Sequence, residues 1–593
     1  MFAGQTVCAG ILRKSGVVSH MLRIEFSGWL RARSTGCAAV IFALALVWPQ
    51  IAVAQTPAAT EQAAIASAHP LATRAGHDVL KRGGNAFDAA IAVAAALAVV
   101  EPYSSGLGGG GFWLLHRARD GHQIMVDSRE VAPSAASPGL FFDAEGKPVP
   151  GATRRGGKSV AVPGVPAALV HIAEHYGNLP LSVSLGPAIH YARDGFAVGS
   201  RYARIAERRE GLLQKRPATA RTFLDNDRVP QPGFLLRQPA LAQTMQGIAT
   251  DGRDGFYRGA VAQALVEAVN RAGGVWQLED LERYRVVERT PLRIRYHGAT
   301  ITTVTLPSAG GIALAQVLQM LERFELSDAR APRDAHLVIE ALRRAFQDRS
   351  LYLGDDDFVA VPMRRLLSRE YAARRAANID PMKATKSDEM GNKQSIAPAS
   401  GNTTHLSVID GEGNRVAATL SINLLFGSGI VAAGTGVLLN NEMDDFSLQA
   451  DLPNAFRLRG GAANAVGPGK RPLSSMTPAF VEDEKGILII GAPGGSRIVS
   501  QLLLAVLDYV GSTTVDLAQI VSAPRYHHQW WPDRVEIEMD SFTPDWRASL
   551  EAKGHRLRMV GRKWGNMQAV LKSKTDGAVQ AANDPRGAGV AWY

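Results

Sequence analysis

The stretch GNTTHLSVID, residues 401–410, decides how the chain is interpreted. It follows a polar tract and opens an alternating run of apolar residues, which continues past a glycine-containing turn through Val416, Ala418 and Leu420. Alternation on both sides of a turn predicts a β-hairpin, with Thr403 at its start. A threonine in that place is ordinarily just a β-branched strand former.

Thr403 has a second interpretation, which depends on the peptide bond before it. If the bond between Asn402 and Thr403 is cut, Thr403 carries a free α-amino group beside its own hydroxyl. An α-amino group has a pKa of about 8 and can serve as the base for a hydroxyl nucleophile. A single residue would then supply both the nucleophile and its base.

Residues 1–54 resemble a leader rather than part of a folded core. Arg31 and Arg33 precede the apolar run 38–48, and the sequence AVA at 52–54 fits a small-residue cleavage site. We therefore predict a secretory signal peptide over residues 1–54 and a secreted or periplasmic protein. The apolar run is short for a bilayer span, so an uncleaved membrane anchor is the weaker alternative.

The composition is that of a large globular protein, with 593 residues of which 46% are hydrophobic and 20% charged. Both cysteines, Cys8 and Cys37, lie in the leader, so the exported chain has no disulfide, thiol nucleophile or cysteine metal ligand. The net charge of +10 falls when the basic leader is removed, and no Lys/Arg block remains that would follow phosphates. We expect no nucleic-acid partner.

Helical and extended patterns are mixed along the rest of the chain, without an internal repeat. Residues 86–100 predict a buried, alanine-rich helix, and apolar spacing predicts helices over 167–176, 240–249, 260–272, 312–324, 333–352 and 498–510. Strands are predicted at 112–116, 125–129 and 487–490, and residues 430–439 alternate around glycines. This mixture predicts layers of helices and layers of sheet, an α+β fold.

The glycine run Gly106–Gly111 matches the spacing GxGxxG of a dinucleotide-binding loop. Such a loop follows a strand and opens a helix, whereas here a helix precedes the glycines and a strand follows them. We therefore exclude a dinucleotide site. The glycines are expected to permit close backbone packing or a tight corner.

Three polar motifs have both an ordinary and a functional interpretation. The sequence NNEMDDF at 440–446 fits a solvated turn or a binding site, and it lacks the ligand spacing of a metal site. Ser474 and Ser475 are adjacent hydroxyls. Gly494 and Gly495 precede the helix 498–510, with Ser496 as its predicted N-cap, and fit either a plain turn or an oxyanion hole.

Other residues have ordinary interpretations when they are taken alone. Arg129, at a predicted strand end, would normally be a surface charge or an ion-pair partner. His527 and His528 point to opposite faces of an extended chain, so they are a poor chelating pair and are predicted to be structural. The loop 451–470, with Phe456 at its centre, has a length typical of functional lids.

Taken together, these motifs resemble those of the γ-glutamyltranspeptidase (glutathione hydrolase) family of N-terminal nucleophile hydrolases. In chain order they are TTH at 403–405, NNEMDDF at 440–446, RPLSSM at 471–476, PGGSR at 493–497 and APRYHHQW at 523–530. The resemblance runs from about residue 76 to NDPR at 583–586. It implies a precursor that cuts itself before Thr403, giving a large subunit (55–402) and a small catalytic subunit (403–593). Both would fold jointly as a four-layer αββα sandwich.

The resemblance also implies which residues carry the chemistry. Thr403 would be the nucleophile with Thr404 beside it, Ser421 would support its hydroxyl, and Gly494 and Gly495 would form the oxyanion hole. Ser421 stands where the family commonly has a threonine.

For substrate binding, the resemblance implies two opposed groups around a zwitterionic end. The α-carboxylate would be held by Arg129, Ser474 and Ser475, and the α-amino group by Asn423, Glu442 and Asp445. Phe456 falls in the family's lid loop, where many members have a tyrosine.

The implied activity is transfer of the γ-glutamyl group of glutathione and related amides to water, amino acids or peptides, through an ester on Thr403 and without a metal or organic cofactor. A glutaryl or cephalosporin acylase of the same superfamily is the nearest alternative. Its substrate has no α-amino group, so Glu442 and Asp445 would face a methylene. A periplasmic γ-glutamyl-peptide binding protein is the alternative from another class, and it would not need a threonine at a cleavable junction.

Overall fold

A computed structural model of the chain describes residues 63–391, 403–448, 454–455, 457–561 and 563–592. Three sequence predictions lie outside these residues: the signal peptide over 1–54, the cleavable bond between Asn402 and Thr403, and the lid position Phe456.

The structure places strands throughout this part of the chain. They are β1 (Ala64–Ser67), β2 (Gly110–Arg117), β3 (His122–Asp127), β4 (Phe196–Ala197), β5 (Leu235–Leu236), β6 (Val287–Arg289), β7 (Leu292–Tyr296), β8 (Ala299–Thr303), β9 (Thr404–Ile409), β10 (Arg415–Ser421), β11 (Ile430–Val431), β12 (Leu438–Leu439), β13 (Ala479–Glu482), β14 (Gly486–Gly491), β15 (Tyr526–His527), β16 (Val535–Glu538), β17 (Leu557–Val560), β18 (Gln568–Ser573), β19 (Val579–Asn583) and β20 (Val590–Trp592).

Helices alternate with these strands. They are α1 (Pro70–Leu80), α2 (Ala86–Val100), α3 (Val165–His175), α4 (Leu181–Asp194), α5 (Ser200–Glu207), α6 (Glu210–Leu213), α7 (Pro217–Phe223), α8 (Pro239–Asp251), α9 (Asp254–Tyr257), α10 (Gly259–Arg271), α11 (Leu278–Arg283), α12 (Gly310–Leu321), α13 (Pro332–Tyr352), α14 (Met363–Leu366), α15 (Arg369–Ala377), α16 (Arg497–Gly511), α17 (Leu517–Ser522) and α18 (Pro544–Ala552).

Two large sheets form the centre of the fold. In the described residues, the first has the strand order β20-β1-β9-β10-β2-β3-β6 and the second has the order β19-β18-β14-β13-β8-β7. Leu114 and Ala417 of the first sheet pack with Phe480 and Ile489 of the second in one apolar cluster. The sheets therefore stack face to face, as two inner layers.

Helices cover the outer face of each sheet. On one side α1, α2, α3, α4, α8 and α10 share a hydrophobic core with side chains of β2, β9 and β10. On the other side α12, α13 and α16 share a core with side chains of β8, β13 and β14. The layers are helix, sheet, sheet, helix, which confirms the predicted α+β fold and its four-layer αββα sandwich.

Helix α2 matches its sequence prediction over residues 86–100, and all of its residues are buried. Its many alanines let neighbouring elements approach it closely. Its first turn is fixed by a capping box, in which Asn85 accepts from the backbone N–H of Asp88 while the Asp88 carboxylate accepts from that of Asn85. The helix ends at Glu101, which reaches the candidate site.

The predicted hairpin is formed by β9 and β10. They pair antiparallel, with Thr404 opposite Leu420 and Val408 opposite Val416. β9 also pairs with β1, and β10 also pairs with β2. The hairpin is therefore interior to the first sheet, and its register brings the residue before Thr404 close to Ser421.

The glycines at 106–111 serve close packing, as the sequence predicted. A Cβ on Gly108 would lie 2.0 Å from the carbonyl oxygen of Leu438, and one on Gly109 would lie 2.0 Å from that of Ser421. Gly111 has a φ of 151°, and a Cβ there would meet the carbonyl oxygen of Thr419. The segment 438–439 and the end of β10 can approach this run only because side chains are absent.

Two local patterns take a more specific form in the structure. The alternation around glycines at 430–439 is the short strand pair β11 and β12, because Gly434 and Gly436 between them have positive φ and form a turn. Ser496 occupies the N-cap position of α16 with helical backbone angles and makes no capping bond. Its hydroxyl instead donates to Gln529 Oε1 at 2.5 Å.

His527 and His528 are buried and paired within the protein. His527 Nε2 lies 2.8 Å from Gln529 Oε1, and His528 Nε2 lies 3.3 Å from Asp533 Oδ1. Burial lowers the pKa of each imidazole to about 4, so both are neutral near pH 7. The structural role predicted for the pair is confirmed.

The close approach at Gly109 generates a prediction about stability. Gly109→Ala should lower the unfolding temperature and the activity, because the new methyl group must push back the backbone at Ser421. Gly106→Ala is the matched control in the same run, since a Cβ there meets nothing within 4 Å. Thermal unfolding of both variants beside the wild type measures the effect. Equal unfolding temperatures for the two variants would contradict it.

Candidate active site

Thr403 lies at the head of β9, beside the end of β10. Its Oγ1 is 3.4 Å from the Oγ of Ser421, and the residue is 5% exposed. The Ser421 hydroxyl is itself fixed, because it accepts a hydrogen bond of 2.8 Å from the backbone N–H of Asn423. Two neighbouring strands therefore hold the two hydroxyls together.

Thr404 faces a different environment. Its Oγ1 donates to Glu101 Oε2 at 2.7 Å, across from the end of α2. Burial raises the pKa of Glu101 to about 7, against the opposing effects of Arg201 and of the Thr404 hydroxyl. The sequence showed Glu101 only as the end of a helix, so this partner was missed.

A cavity, here called the threonine cavity, opens in front of Thr403. Its lining includes most of the residues that the sequence assigned to a site, but neither Thr404 nor Gly494. The lining residues are Arg129, Arg349, Thr403, Ser421, Asn423, Glu442, Asp445, Leu458, Ser474, Ser475, Met476, Gly495, Ser496 and Ile498. Segments far apart in the chain thus meet at one place.

Arg129 is the central cation of this cavity. It is 0% exposed, so the surface-charge interpretation is wrong. Its guanidinium donates to Glu442 Oε1, to Asp445 Oδ2 at 2.6 Å and to the backbone carbonyl of Pro472 at 3.0 Å. Burial by itself would lower the pKa of Arg129, but the surrounding carboxylates of Glu442, Glu130 and Asp445 raise it above its usual value.

The NNEMDDF segment is a built part of the site. Residues Glu442–Asp445 form a short 3-10 turn, and Asn440 anchors it by donating to the carbonyls of Gly108 and Ala161. Glu442 is 1% exposed. The solvated-turn interpretation is therefore wrong, and the acidic residues are held beside Arg129.

Four buried polar atoms of the cavity lack a hydrogen-bond partner among the described residues. They are Arg349 Nε, Glu442 Oε2, Asn423 Oδ1 and Ser475 Oγ. Burial, together with repulsion from Glu130 and Asp445, raises the pKa of Glu442 well above its usual range, although Arg129 opposes the shift. Unpartnered buried groups are costly, so these atoms are suited to be completed by a ligand.

Arg349 of α13 also lines the cavity and was missed by the sequence analysis. Burial lowers its pKa to about 10, with attraction to Asp445 opposing the shift. The sequence offers no signal for it, because the same helix carries Arg343 and Arg344. Those two arginines pair with Glu340 rather than facing the site.

Gly494 and Gly495 form the turn into α16. Their φ angles are 138° and 60°, a backbone that favours glycine, and Gly495 lines the cavity. A helix of this length with glycines at its N-terminus presents backbone N–H groups and a positive dipole end. The turn is thus suited to stabilise negative charge near Thr403.

Two further observations concern metals and membranes. In the described ranges, the acidic group spaced to hold an ion is Asp355, Asp356 and Asp357, which is not part of the threonine cavity. Arg289 already pairs with two of these carboxylates. No helix in the same ranges combines the length and the apolar character that a bilayer crossing requires.

An αββα sandwich with a threonine at the head of an inner strand, facing a cavity with a cation and carboxylates, defines an N-terminal nucleophile hydrolase. Comparison with known proteins agrees. The sequence profile described as gamma-glutamyltranspeptidase matches residues 72–593. The glutathione hydrolase proenzyme of Escherichia coli is 40% identical over 534 residues, which cover 89% of this chain and 91% of that protein.

Solved structures share the fold. A cephalosporin acylase from Bacillus halodurans has a TM-score of 0.79 at 29% identity, covering 90% of this chain and 96% of that one. The gamma-glutamyltranspeptidase of Helicobacter pylori has a TM-score of 0.54 at 37% identity, covering 56% and 97%. The chain belongs to the gamma-glutamyltranspeptidase family, and it is an enzyme, a γ-glutamyltransferase and glutathione hydrolase.

The environment of Glu101 predicts a pH-dependent stability. Its pKa rises from 4.5 to about 7 on folding, so the buried charge destabilises the fold progressively as the pH rises through this window, by roughly 3 kcal/mol in total. Glu101→Gln removes this charge. The free energy of unfolding of the variant minus that of the wild type should therefore be larger at pH 8 than at pH 5. Urea unfolding at both pH values measures it. Glu207→Gln, at an exposed carboxyl, is the control, and the same pH trend there would contradict the prediction.

Proposed function

We propose that the chain cuts itself between Asn402 and Thr403, and that the new N-terminal Thr403 is the nucleophile of γ-glutamyl transfer. The large subunit would be residues 55–402 and the small subunit 403–593. The position of Thr403 at the head of a paired strand supports this proposal, because the strand would hold Thr403 in the same place before and after the bond is cut. We also propose that the leader, residues 1–54, directs export of the chain to a periplasmic or extracellular location.

The first half-reaction forms an ester. The Thr403 hydroxyl attacks the γ-carbonyl carbon of the donor, its proton passes to the free α-amino group, and the negative charge develops on the carbonyl oxygen. Backbone N–H groups at Gly494 and Gly495 are suited to that oxygen. The C–N bond then breaks, and the α-amino group returns the proton to the leaving amine.

The second half-reaction releases the γ-glutamyl group. Water, or the amine of an amino acid or peptide, attacks the ester carbonyl and loses a proton to the Thr403 α-amino group. The C–O bond to Thr403 breaks and the threonine hydroxyl is restored with that proton. The Ser421 hydroxyl, 3.4 Å from Thr403 Oγ1, is suited to orient the Thr403 hydroxyl before the first attack.

The observation that carries the donor assignment is the pair of unpartnered acceptors, Glu442 Oε2 and Asn423 Oδ1. An α-ammonium group is a positively charged hydrogen-bond donor. It would donate a hydrogen bond to each of these two oxygens and offset the negative charge of the neighbouring carboxylates. The α-carboxylate would take the remaining N–H group of Arg129 and the hydroxyl of Ser475. A γ-glutamyl group has both ends of this zwitterion.

Two alternatives make different demands on the same cavity. A glutaryl donor, as an acylase would use, has no ammonium and leaves Glu442 Oε2 and Asn423 Oδ1 unpaired, which costs binding energy. The structural similarity to a cephalosporin acylase supports an acylase as the second candidate function. A periplasmic binding protein would need the zwitterion contacts but not the paired hydroxyls of Thr403 and Ser421.

The self-cleavage proposal predicts the masses of the purified protein. Wild-type protein should give two polypeptides, one beginning at Thr403, whereas Thr403→Ala should remain a single polypeptide without activity, because the attacking hydroxyl is missing. Intact-mass spectrometry measures both. Thr575→Ala, in an exposed turn, is the control and should be processed normally. Two pieces from Thr403→Ala, or an active wild type with an uncut chain, would overturn the proposal.

Donor recognition predicts a selective defect in Glu442→Gln. The amide keeps the size of the side chain but cannot ionise to pair with the ammonium of the bound donor, so KM for a γ-glutamyl anilide should rise about 10- to 100-fold. Hydrolysis of the matching glutaryl anilide should not weaken.

Steady-state kinetics with both anilides tests this, and Glu551→Gln, at an exposed site, should leave both substrates unaffected. An equal loss for both anilides would refute recognition of the ammonium by Glu442. A wild type that prefers the glutaryl anilide would favour the acylase.

A further inference from the structure

A second cleft, here called the arginine cleft, borders the site without being part of the threonine cavity. Four of its lining residues are arginines. Its lining is Pro150, Gly151, Arg154, Arg155, Arg208, Arg209, Leu424 and Leu425. One wall is the loop at 150–155, and the other is formed by the residues that follow α5 together with those that follow Asn423.

Asn441 joins the two walls. Its Nδ2 donates to the carbonyl of Arg154 at 3.0 Å, and its Oδ1 accepts from the backbone N–H of Leu424 at 3.1 Å. Asn441 stands directly before Glu442, and its own carbonyl accepts from Asn423 Nδ2 at 2.8 Å. The arginine cleft is therefore a built feature, tied by one side chain to residues that line the threonine cavity.

The positive charge of the arginine cleft is poorly compensated. Arg209 is fixed by its Nε, which donates to the carbonyl of Leu425 at 3.0 Å. Burial lowers the pKa of Arg209, and the nearby charge of Arg155 lowers it further. Two guanidinium groups are thus held near one another, an arrangement that an anion would relieve.

Carboxylates in the neighbourhood do not provide that anion. In the described part of the chain, the carboxylate within 4.0 Å of these arginines is Asp444, whose Oδ1 lies 3.9 Å from Arg154 Nε. Asp444 is already engaged by the Thr153 hydroxyl and the Ala455 backbone N–H. No carboxylate of the residues that the structure describes lies within 4.0 Å of Arg155, Arg208 or Arg209, although Glu207 and Glu210 flank two of them in the sequence.

We propose that the arginine cleft is a second anion site, which binds an acidic peptide through carboxylates paired with Arg155, Arg208 and Arg209. The cations are spread along two walls, so they suit several carboxylates along a chain better than one compact anion. Leu424 and Leu425 add apolar surface for the peptide's methylenes. A recessed cleft between two walls also fits a peptide better than a flat lipid surface. This binding does not require turnover, so it is independent of the proposed function.

Calorimetry at low salt with the peptide triglutamate tests the proposal. The double variant Arg155→Ala/Arg208→Ala should bind triglutamate about tenfold more weakly than the wild type, and salt should weaken the wild-type binding. Arg204→Ala removes an exposed arginine of α5 outside the arginine cleft and should bind like the wild type. Trialanine should bind none of the three proteins measurably. Hydrolysis of a γ-glutamyl anilide should be the same in all three, which also reports that the variants fold.

Three outcomes would overturn the proposal. The first is equal triglutamate affinity in the wild type and the double variant. The second is complete displacement of triglutamate by saturating free glutamate, which would place the peptide in the threonine cavity instead. The third is binding of anionic phospholipid vesicles that depends on the same two arginines while triglutamate does not bind, which would assign the surface to a membrane.

Discussion

The antiparallel pairing of β9 with β1 and β10 is the interaction on which the site depends. It puts Thr403 at the head of an interior strand, 3.4 Å from the Ser421 hydroxyl. The approach of β10 to the chain at 108–111 is possible only because that run carries glycines. Sheet hydrogen bonds, not the side chains of the cavity, therefore fix the geometry of the two hydroxyls.

A second constraint is the balance of charge around Arg129. Three carboxylates, of Glu130, Glu442 and Asp445, surround one fully buried guanidinium, with Arg349 close to Asp445. A buried charge is tolerated only when it is paired and hydrogen-bonded, and here three carboxylates share the single positive charge of Arg129. The three carboxylates thus outnumber the two arginines, Arg129 and Arg349, beside them. A zwitterion supplies one charge of each sign, and its ammonium group can form an ion pair with the carboxylates that exceed the arginines in number.

Much of the fold was predictable because it follows from patterns of apolar residues. The period of α2 and the alternation on either side of the turn at 410–414 are local signals, and both elements were found at those places. The burial of Arg129 and of the segment 440–446 could not be predicted in this way, since charged residues are usually exposed. Only the resemblance of the motifs placed them in a site. Glu101 and Arg349 carried no motif, and three-dimensional packing alone brings them there.

The strand order has a consequence for how the protein could be made from parts. β1 lies between β9 and β20, so a strand from before Thr403 is flanked on both edges by strands from after it. In the second sheet, β8 pairs with β13 across the same division. If the two halves were synthesised separately, β1 of one half would have to insert between β9 and β20 of the other. If the chain is cut at the proposed position, the two subunits stay joined by the backbone hydrogen bonds of both sheets.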